Sequence, residues 1–122
     1  MGAEGMVRVA RIYDEPTPDD GRRILVDRLW PRGVSKERAR LDDWCKEIAP
    51  SNELRQWYGH VPERFDEFSE RYRAELSEGE RAAALARISE EARTGVVTLL
   101  TATKLADISE AAVLQAVIEE RR

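Results

Sequence analysis

The sequence is poor in the two residues that most often mark catalytic and metal sites, since its 122 residues include one histidine and one cysteine. A lone cysteine, Cys45, cannot form an internal disulfide, which favours a reducing compartment. One cysteine and one histidine also fall short of the usual ligand set of a zinc site. A GxGxxG pattern and a glycine-rich phosphate loop are both missing. We therefore expect neither a metal nor a cofactor.

Long apolar runs are missing as well. The longest, at residues 96–100, is much shorter than the ~20 residues of a membrane span. The N-terminus has no basic flank followed by an apolar block, so we expect no secretion signal and no membrane partner. With 42% hydrophobic and 36% charged residues, the chain has the composition of a folded cytoplasmic protein. Its length suits a single domain over residues 1–122, with residues 1–6 as a loose N-terminus.

The charge of the chain is small overall but unevenly distributed. A net charge of −4 argues against general nucleic-acid binding. Between residues 22 and 40, however, seven basic residues face only two acidic ones, whereas the predicted helices of the second half are acidic. This asymmetry indicates a local site for an anion.

The hydrophobic pattern predicts an α/β fold. Short apolar runs predict strands that are covered on both faces, and apolar residues at three- and four-residue spacing predict helices. Ser77 with Glu80, and Asp107 with Glu110, have the spacing of capping boxes. We therefore expect a single layered domain with a small, mostly parallel sheet flanked by helices. The predicted strands are 7–12, 24–27 and 96–101, the predicted helices are 51–58, 62–76, 80–93 and 108–120, and 41–49 is ambiguous between strand and helix, with a strand favoured.

Two loops follow predicted strands and carry basic residues. Ligands of parallel sheets bind outside the carboxyl ends of the strands, so residues 27–36 and 101–104 are the candidate site. Arginine suits phosphate or carboxylate, a tryptophan can stack on a ring, and we expect the aspartate to orient an arginine. The alternative is that these charges form a solvated surface and the tryptophan belongs to the core. The predicted ligand-binding residues are Asp27, Arg28, Trp30, Arg32, Lys36 and Lys104.

Other residues are weaker candidates. His60 has the chemistry of a general base, but a surface histidine at a helix end is the preferred interpretation. Cys45 is better explained as a small buried side chain than as a nucleophile. Phe68 and Tyr72 have the periodicity of core residues, and a role as a stacking platform is the less favoured alternative.

The segment from Leu25 to Lys36 reads LVDRLWPRGVSK and resembles the YeaO-like proteins, a branch of domain-of-unknown-function family 488. The match continues through Trp44, residues 49–51 and residues 60–62, and resumes at Leu99 and Leu100, so it covers nearly the whole chain. The resemblance implies a small α/β fold and a bacterial cytoplasmic protein. It implies no particular reaction.

One departure from the wider family bears on chemistry. Other branches carry a cysteine after the last strand, then a glutamate, and then a cysteine–histidine pair that begins the final helix. The corresponding region here contains Thr101, Thr103 and residues 108–109, with no thiol or imidazole. Chemistry that uses those groups cannot run in the same way in this chain, so residues 27–36 must carry any activity that is retained.

Three functions remain open from the sequence. The first is binding of a phosphate-bearing small molecule, such as a nucleotide, at residues 27–36. The second is an enzyme that acts on a nucleotide or nucleic-acid component, with Asp27 as acid or base and the arginines stabilising negative charge. The third is a non-catalytic interaction protein whose acidic helices and basic loop mediate self-assembly, for example as a homodimer. The sequence has no convincing pair of nucleophile and base, which favours binding over catalysis.

Overall fold

The computed structural model describes residues 5–121 and contains a four-stranded parallel sheet. The strands are β1 (Met6–Arg11), β2 (Arg22–Leu25), β3 (Asp43–Trp44) and β4 (Val96–Thr101). Their order across the sheet is β1-β4-β2-β3, so β4 lies between β1 and β2. The predicted α/β class and parallel sheet are confirmed. β1 begins one residue before the predicted strand, so Met6 is not part of a loose end, and residues 1–4 lie outside the described residues.

Five α-helices flank the sheet in the described part of the chain. They are α1 (Lys36–Ala39), α2 (Asn52–Tyr58), α3 (Phe65–Glu75), α4 (Gly79–Thr94) and α5 (Glu110–Glu120). Short 3-10 turns at Pro62–Arg64 and Ala106–Ile108 precede α3 and α5. The four predicted helices therefore exist near their predicted bounds. None of the described helices is long and apolar enough to cross a membrane.

The ambiguous segment 41–49 is a strand for two residues only. The Cys45 amide donates to the Leu25 carbonyl at 2.9 Å, and the chain then leaves the sheet in a 3-10 turn over Lys46–Ile48. This turn places the Ile48 side chain in the core, where it is fully buried. The favoured strand over the whole segment was wrong because apolar residues at alternate positions also fit a turn that packs onto the sheet.

Both predicted capping boxes are wrong. The Ser77 hydroxyl donates to the Ala74 carbonyl at 2.7 Å, and α4 begins without a side-chain cap. At α5 the cap is Ser109, whose hydroxyl accepts from the Ala112 amide at 3.4 Å, while Asp107 lies in the preceding 3-10 turn. The spacing of two residue types does not distinguish a helix start from the turn before it.

The core lies between the sheet and helices α2 to α5. Phe68 and Tyr72 are 2% and 0% exposed, which confirms their predicted core position. The Phe68 ring stacks on Tyr58 with 4.2 Å between ring centroids, and the Tyr72 hydroxyl donates to the Ile48 carbonyl at 2.5 Å. Cys45 is buried in the same core, as expected. Packing therefore fixes α2 and α3 against the turn that follows β3.

Candidate functional site

The carboxyl ends of β2 and β4 lie side by side, and Asp27 follows directly. The Val26 amide continues the pairing by donating to the Leu100 carbonyl at 3.1 Å. The two Asp27 carboxylate oxygens then accept from the Thr101 hydroxyl and the Ala102 amide, each at 2.8 Å. Asp27 was expected to orient an arginine; its carboxylate is instead bonded to the end of β4, because the parallel pairing brings Thr101 and Ala102 within its reach.

A cavity of about 230 Å³ opens beside Asp27 and is called the central cavity below. Its walls come from five parts of the chain: residues 27–31, residues 49–50, α2 with the turn after it, Phe68 of α3, and the segment from the end of β4 to the start of α5. Because β2 and β4 are adjacent in the sheet, the loops that follow them form neighbouring walls. A cavity at this place matches the general position of ligands in parallel α/β proteins.

Asp27 shares the central cavity with a second carboxyl group, that of Glu110. Ser109 caps α5, so Glu110 is the first residue of the helix and lies at the cavity wall. Burial raises the pKa of Glu110 well above its usual range, and a hydrogen bond with Asp27 and the negative charge of Asp27 raise it further. Glu110 therefore keeps its proton at pH values where a free glutamate is ionised. The sequence pattern had assigned Glu110 only to a capping box.

Arg28 brings positive charge to the same cavity. Its side chain is partly exposed, but its Nε is buried and has no hydrogen-bond partner among the described residues. Arg55, from α2, is exposed and also lines the cavity. A buried guanidinium N–H that lacks a partner is costly, because burial removes the water that would otherwise accept from it.

Trp30 forms part of the cavity wall and also packs into the smaller of two core clusters. Its indole N–H donates to the Val34 carbonyl at 2.7 Å, and its ring meets Trp44 edge-on at 5.3 Å. The Trp44 indole donates in turn to the Asp27 carbonyl at 2.8 Å. The two tryptophans therefore fix the loop that carries Asp27 and Arg28.

The six predicted ligand-binding residues do not all come together. Asp27, Arg28 and Trp30 line the central cavity. Arg32 is exposed, and its carbonyl accepts from the Tyr13 hydroxyl at 3.2 Å. Lys36 is exposed at the start of α1, and Lys104 borders a second cavity beyond Thr103.

Three residues of α2 and the turn after it were missed as cavity residues. Arg55, Tyr58 and His60 reach the cavity because the Tyr58 hydroxyl donates to the Ile108 carbonyl at 2.7 Å. His60 is exposed, as predicted for a histidine at a helix end, and has a left-handed backbone with φ of 58°. Its place directly after the helix-ending Gly59 was visible in the sequence, but its neighbours were not.

Within residues 5–121, no group of three or more histidine, cysteine, aspartate or glutamate side chains is arranged to hold a metal ion. The raised pKa of Glu110 also makes this carboxyl a poor ligand for a cation until its proton leaves.

These features define a small parallel α/β protein with a cavity at the carboxyl ends of its central strands. The family described as "Inactive DUF488-N3 subclade" matches residues 6–122. The chain belongs to this family, which confirms the resemblance found in the sequence.

Bacterial proteins of this kind match over most of their length. The uncharacterized protein Rv3073c of Mycobacterium tuberculosis is 50% identical over 121 residues, which cover 99% of this chain and all of that protein. The uncharacterized protein YeaO of Escherichia coli is 42% identical over 109 residues, which cover 88% of this chain and 92% of that protein. No solved structure matches this chain.

Proposed function

We propose that this protein binds a phosphate-bearing small molecule in the central cavity and does not transform it. The observation that carries the proposal is Arg28, which lines the cavity and whose buried Nε has no hydrogen-bond partner within residues 5–121. An oxygen of a bound phosphate would accept from this N–H and remove the cost of leaving it unpaired. Guanidinium groups suit phosphate because their N–H groups form a planar fork.

The charge balance of the cavity supports an anionic ligand. Arg28 and Arg55 contribute two positive charges, and the Asp27–Glu110 pair, while it holds its proton, contributes one negative charge. While Glu110 holds its proton the lining is positive overall, although the whole chain is negative. Further positive charge lies nearby: Arg32 in the loop after β2, Lys36 at the start of α1, and Lys104 in the loop after β4. These side chains would attract an anion at longer range, and salt would screen this attraction.

Binding is favoured over catalysis because the cavity lacks an activated nucleophile. The Thr101 hydroxyl is bonded to Asp27, and each Asp27 oxygen already accepts a hydrogen bond from β4 or the residue after it. The single cysteine lies in the core, where burial raises the pKa of its thiol to about 12. The word "Inactive" in the description of the family agrees with this interpretation. A free cysteine also supports a reducing, cytoplasmic location as part of the proposal.

Calorimetric titration with sulfate and inorganic phosphate tests the proposal. We expect Arg28→Ala to weaken binding of both anions at least about tenfold, because it removes the charge and the buried donor. The matched control is Arg93→Ala, since Arg93 is exposed on α4 near the start of β4 and pairs with Glu90. Equal affinity of the parent and Arg28→Ala, or no binding by the parent, would contradict the proposal.

The same titration measures the contribution of the other predicted cations. Arg32→Ala and Lys36→Ala should weaken anion binding by less than about threefold at low salt, and by nothing measurable at high salt. Both side chains are exposed, so neither substitution should change the melting temperature. A loss as large as that of Arg28→Ala would mean that the loop closes over the ligand, and would move the site toward Arg32.

A further inference from the structure

A second cavity, of about 470 Å³, adjoins the central cavity and is called the annex below. The two cavities share His60 and Thr103 as lining residues. Lys104, Leu105 and Ile108 complete the annex. The two cavities are therefore neighbours that meet at these two residues.

The annex is apolar where the central cavity is charged. Leu105 is 52% exposed, which is costly for a leucine unless something covers it. Among the described residues, the exposed large hydrophobic side chains are Met6, Tyr13, Leu29 and Leu105. Two of these four, Leu29 and Leu105, line the two cavities. Half of these exposed apolar side chains therefore lie beside the candidate site, where a bound ligand could cover them.

His60 lies at the junction of the two cavities in a conformation that few side chains adopt. Its φ of 58° directly follows that of Gly59, at 51°, so two successive residues are left-handed. The imidazole ring is 6.1 Å from the ring of Tyr58 and exposed to the junction. Strained backbone of this kind persists where neighbouring structure holds it in place. The planar imidazole ring of His60 is therefore available to a ligand in either cavity.

We propose that the ligand is a nucleoside monophosphate whose base occupies the annex, against Leu105 and Ile108. This inference rests on the proposed function, because it places the phosphate at Arg28. Asp27 and Glu110 line the same central cavity as Arg28, and their carboxylate oxygens are possible acceptors for sugar hydroxyls. Phosphate, hydroxyls and an apolar planar ring are the three groups that these linings fit, and a nucleotide carries all of them.

Affinity for ribose 5-phosphate and for AMP, GMP, CMP and UMP isolates the contribution of the base. We expect at least one nucleotide to bind the parent about tenfold more tightly than ribose 5-phosphate, which lacks the base. Leu105→Ser should remove that advantage and leave the affinity for ribose 5-phosphate unchanged. The matched control is Met6→Ser, because Met6 is 51% exposed. Met6 is the first residue of β1 and pairs with the first residue of β4, so it lies at the amino ends of the strands, away from Leu105.

The outcomes separate the two proposals. If no phosphate compound binds the parent, the proposed function itself fails. If ribose 5-phosphate and all four nucleotides bind equally, the annex holds no base, while anion binding stands. If a nucleotide binds more tightly but Leu105→Ser matches the parent and Met6→Ser, the base lies elsewhere and the inference is overturned. Melting temperatures of both variants, expected to equal that of the parent, exclude a folding effect.

Discussion

The Thr101 hydroxyl donates to the Asp27 carboxylate at 2.8 Å and joins the end of β4 to the loop after β2. Thr101 is fully buried and Asp27 is partly buried, so this hydrogen bond is partly shielded from water. It positions the carboxyl group that forms a hydrogen bond with Glu110 in the central cavity. The threonine thus supports the site from the end of the neighbouring strand.

Replacing this hydroxyl should weaken the fold. Thr101→Val keeps the shape of the side chain but removes the hydroxyl that donates to one Asp27 oxygen. Because this oxygen loses its donor, the free energy of unfolding should fall by about 1–2 kcal/mol. Denaturation in urea measures the change. Thr94→Val, at the exposed end of α4, is the control and should leave stability nearly unchanged. A Thr101→Val protein as stable as the parent would mean that the hydrogen bond is replaced by water.

Phe68 should be one of the most sensitive positions of the core. It is 2% exposed and stacks on Tyr58 at 4.2 Å, so Phe68→Ala should cost about 3–5 kcal/mol of unfolding free energy. Phe65→Ala provides the comparison, because Phe65 is only partly buried and should cost less. Thermal or urea denaturation of the two variants decides the matter. Equal stability of Phe68→Ala and the parent would place this ring in solvent and revive the stacking-platform interpretation.

Cys45 should be unreactive in the folded protein. Its side chain is fully buried, and burial together with the charge of Glu47 raises the pKa of its thiol to about 12. The thiolate that attacks alkylating reagents and disulfides is then nearly absent at neutral pH. We expect no modification by a disulfide reagent in native buffer and complete modification in denaturant. Rapid labelling of the native protein would show that the core around Cys45 opens.

The sequence sufficed for those parts of the fold and site that depend on neighbours along the chain. Strands β1, β2 and β4 are short apolar runs, and Asp27 and Arg28 follow one of them directly. Gly59 could be identified as a helix end because glycine readily adopts the left-handed backbone that ends many helices. Its φ in the structure is 51°. Each of these features is local, so composition and spacing were enough.

The missing parts of the site depend on contacts between distant segments. Tyr58 and Ile108 are 50 residues apart, yet their hydrogen bond brings α2 against the segment before α5. Arg55, His60 and Glu110 line the cavity as a result, and no spacing in the sequence indicates this. The order of the strands, with β4 beside β2, is equally nonlocal. It decides which loops meet, and therefore which charges share a cavity.

The buried ion pair of Asp20 and Arg23 should make the protein sensitive to acid. Burial opposes ionisation of Asp20, but hydrogen bonds from Thr17 and Arg23 outweigh it and hold the pKa of Asp20 below its unperturbed 3.8. This pair therefore stabilises the fold at pH values above the pKa that Asp20 has in the unfolded chain. The contribution is lost as the pH falls through the lower pKa of the folded state. Asp20→Asn should lower stability at neutral pH by about 3 kcal/mol.

The pH dependence of this loss distinguishes the ion pair from a packing effect. Melting temperatures of the parent and Asp20→Asn should converge as the pH falls through the lowered folded-state pKa of Asp20. Asp19→Asn is the control, because the Asp19 side chain is exposed. The ion pair with Arg23 is formed by the adjacent Asp20. A constant difference between parent and Asp20→Asn at every pH would contradict the assignment.

Anion binding in the central cavity should weaken as the pH rises. The raised pKa of Glu110 keeps its carboxyl protonated at pH values where a free glutamate is ionised. Loss of that proton adds a negative charge beside Arg28 and Arg55 and opposes an anion. The affinity for sulfate, which stays doubly charged throughout, should therefore fall as the pH passes through the pKa of Glu110. Because coupling is reciprocal, bound sulfate should raise that pKa further.

Two substitutions separate the effect of Glu110 on anion binding from that of His60, which also lines the central cavity. Glu110→Gln keeps an amide that can donate to Asp27 but cannot ionise, so its affinity for sulfate should lose most of the dependence on pH. His60→Asn removes the imidazole and is compatible with the left-handed backbone at this position, since asparagine tolerates positive φ. The fall in affinity should persist in His60→Asn, because the charge of Glu110 causes it. If Glu110→Gln keeps the pH profile of the parent while His60→Asn loses it, the histidine and not the carboxyl pair controls anion binding.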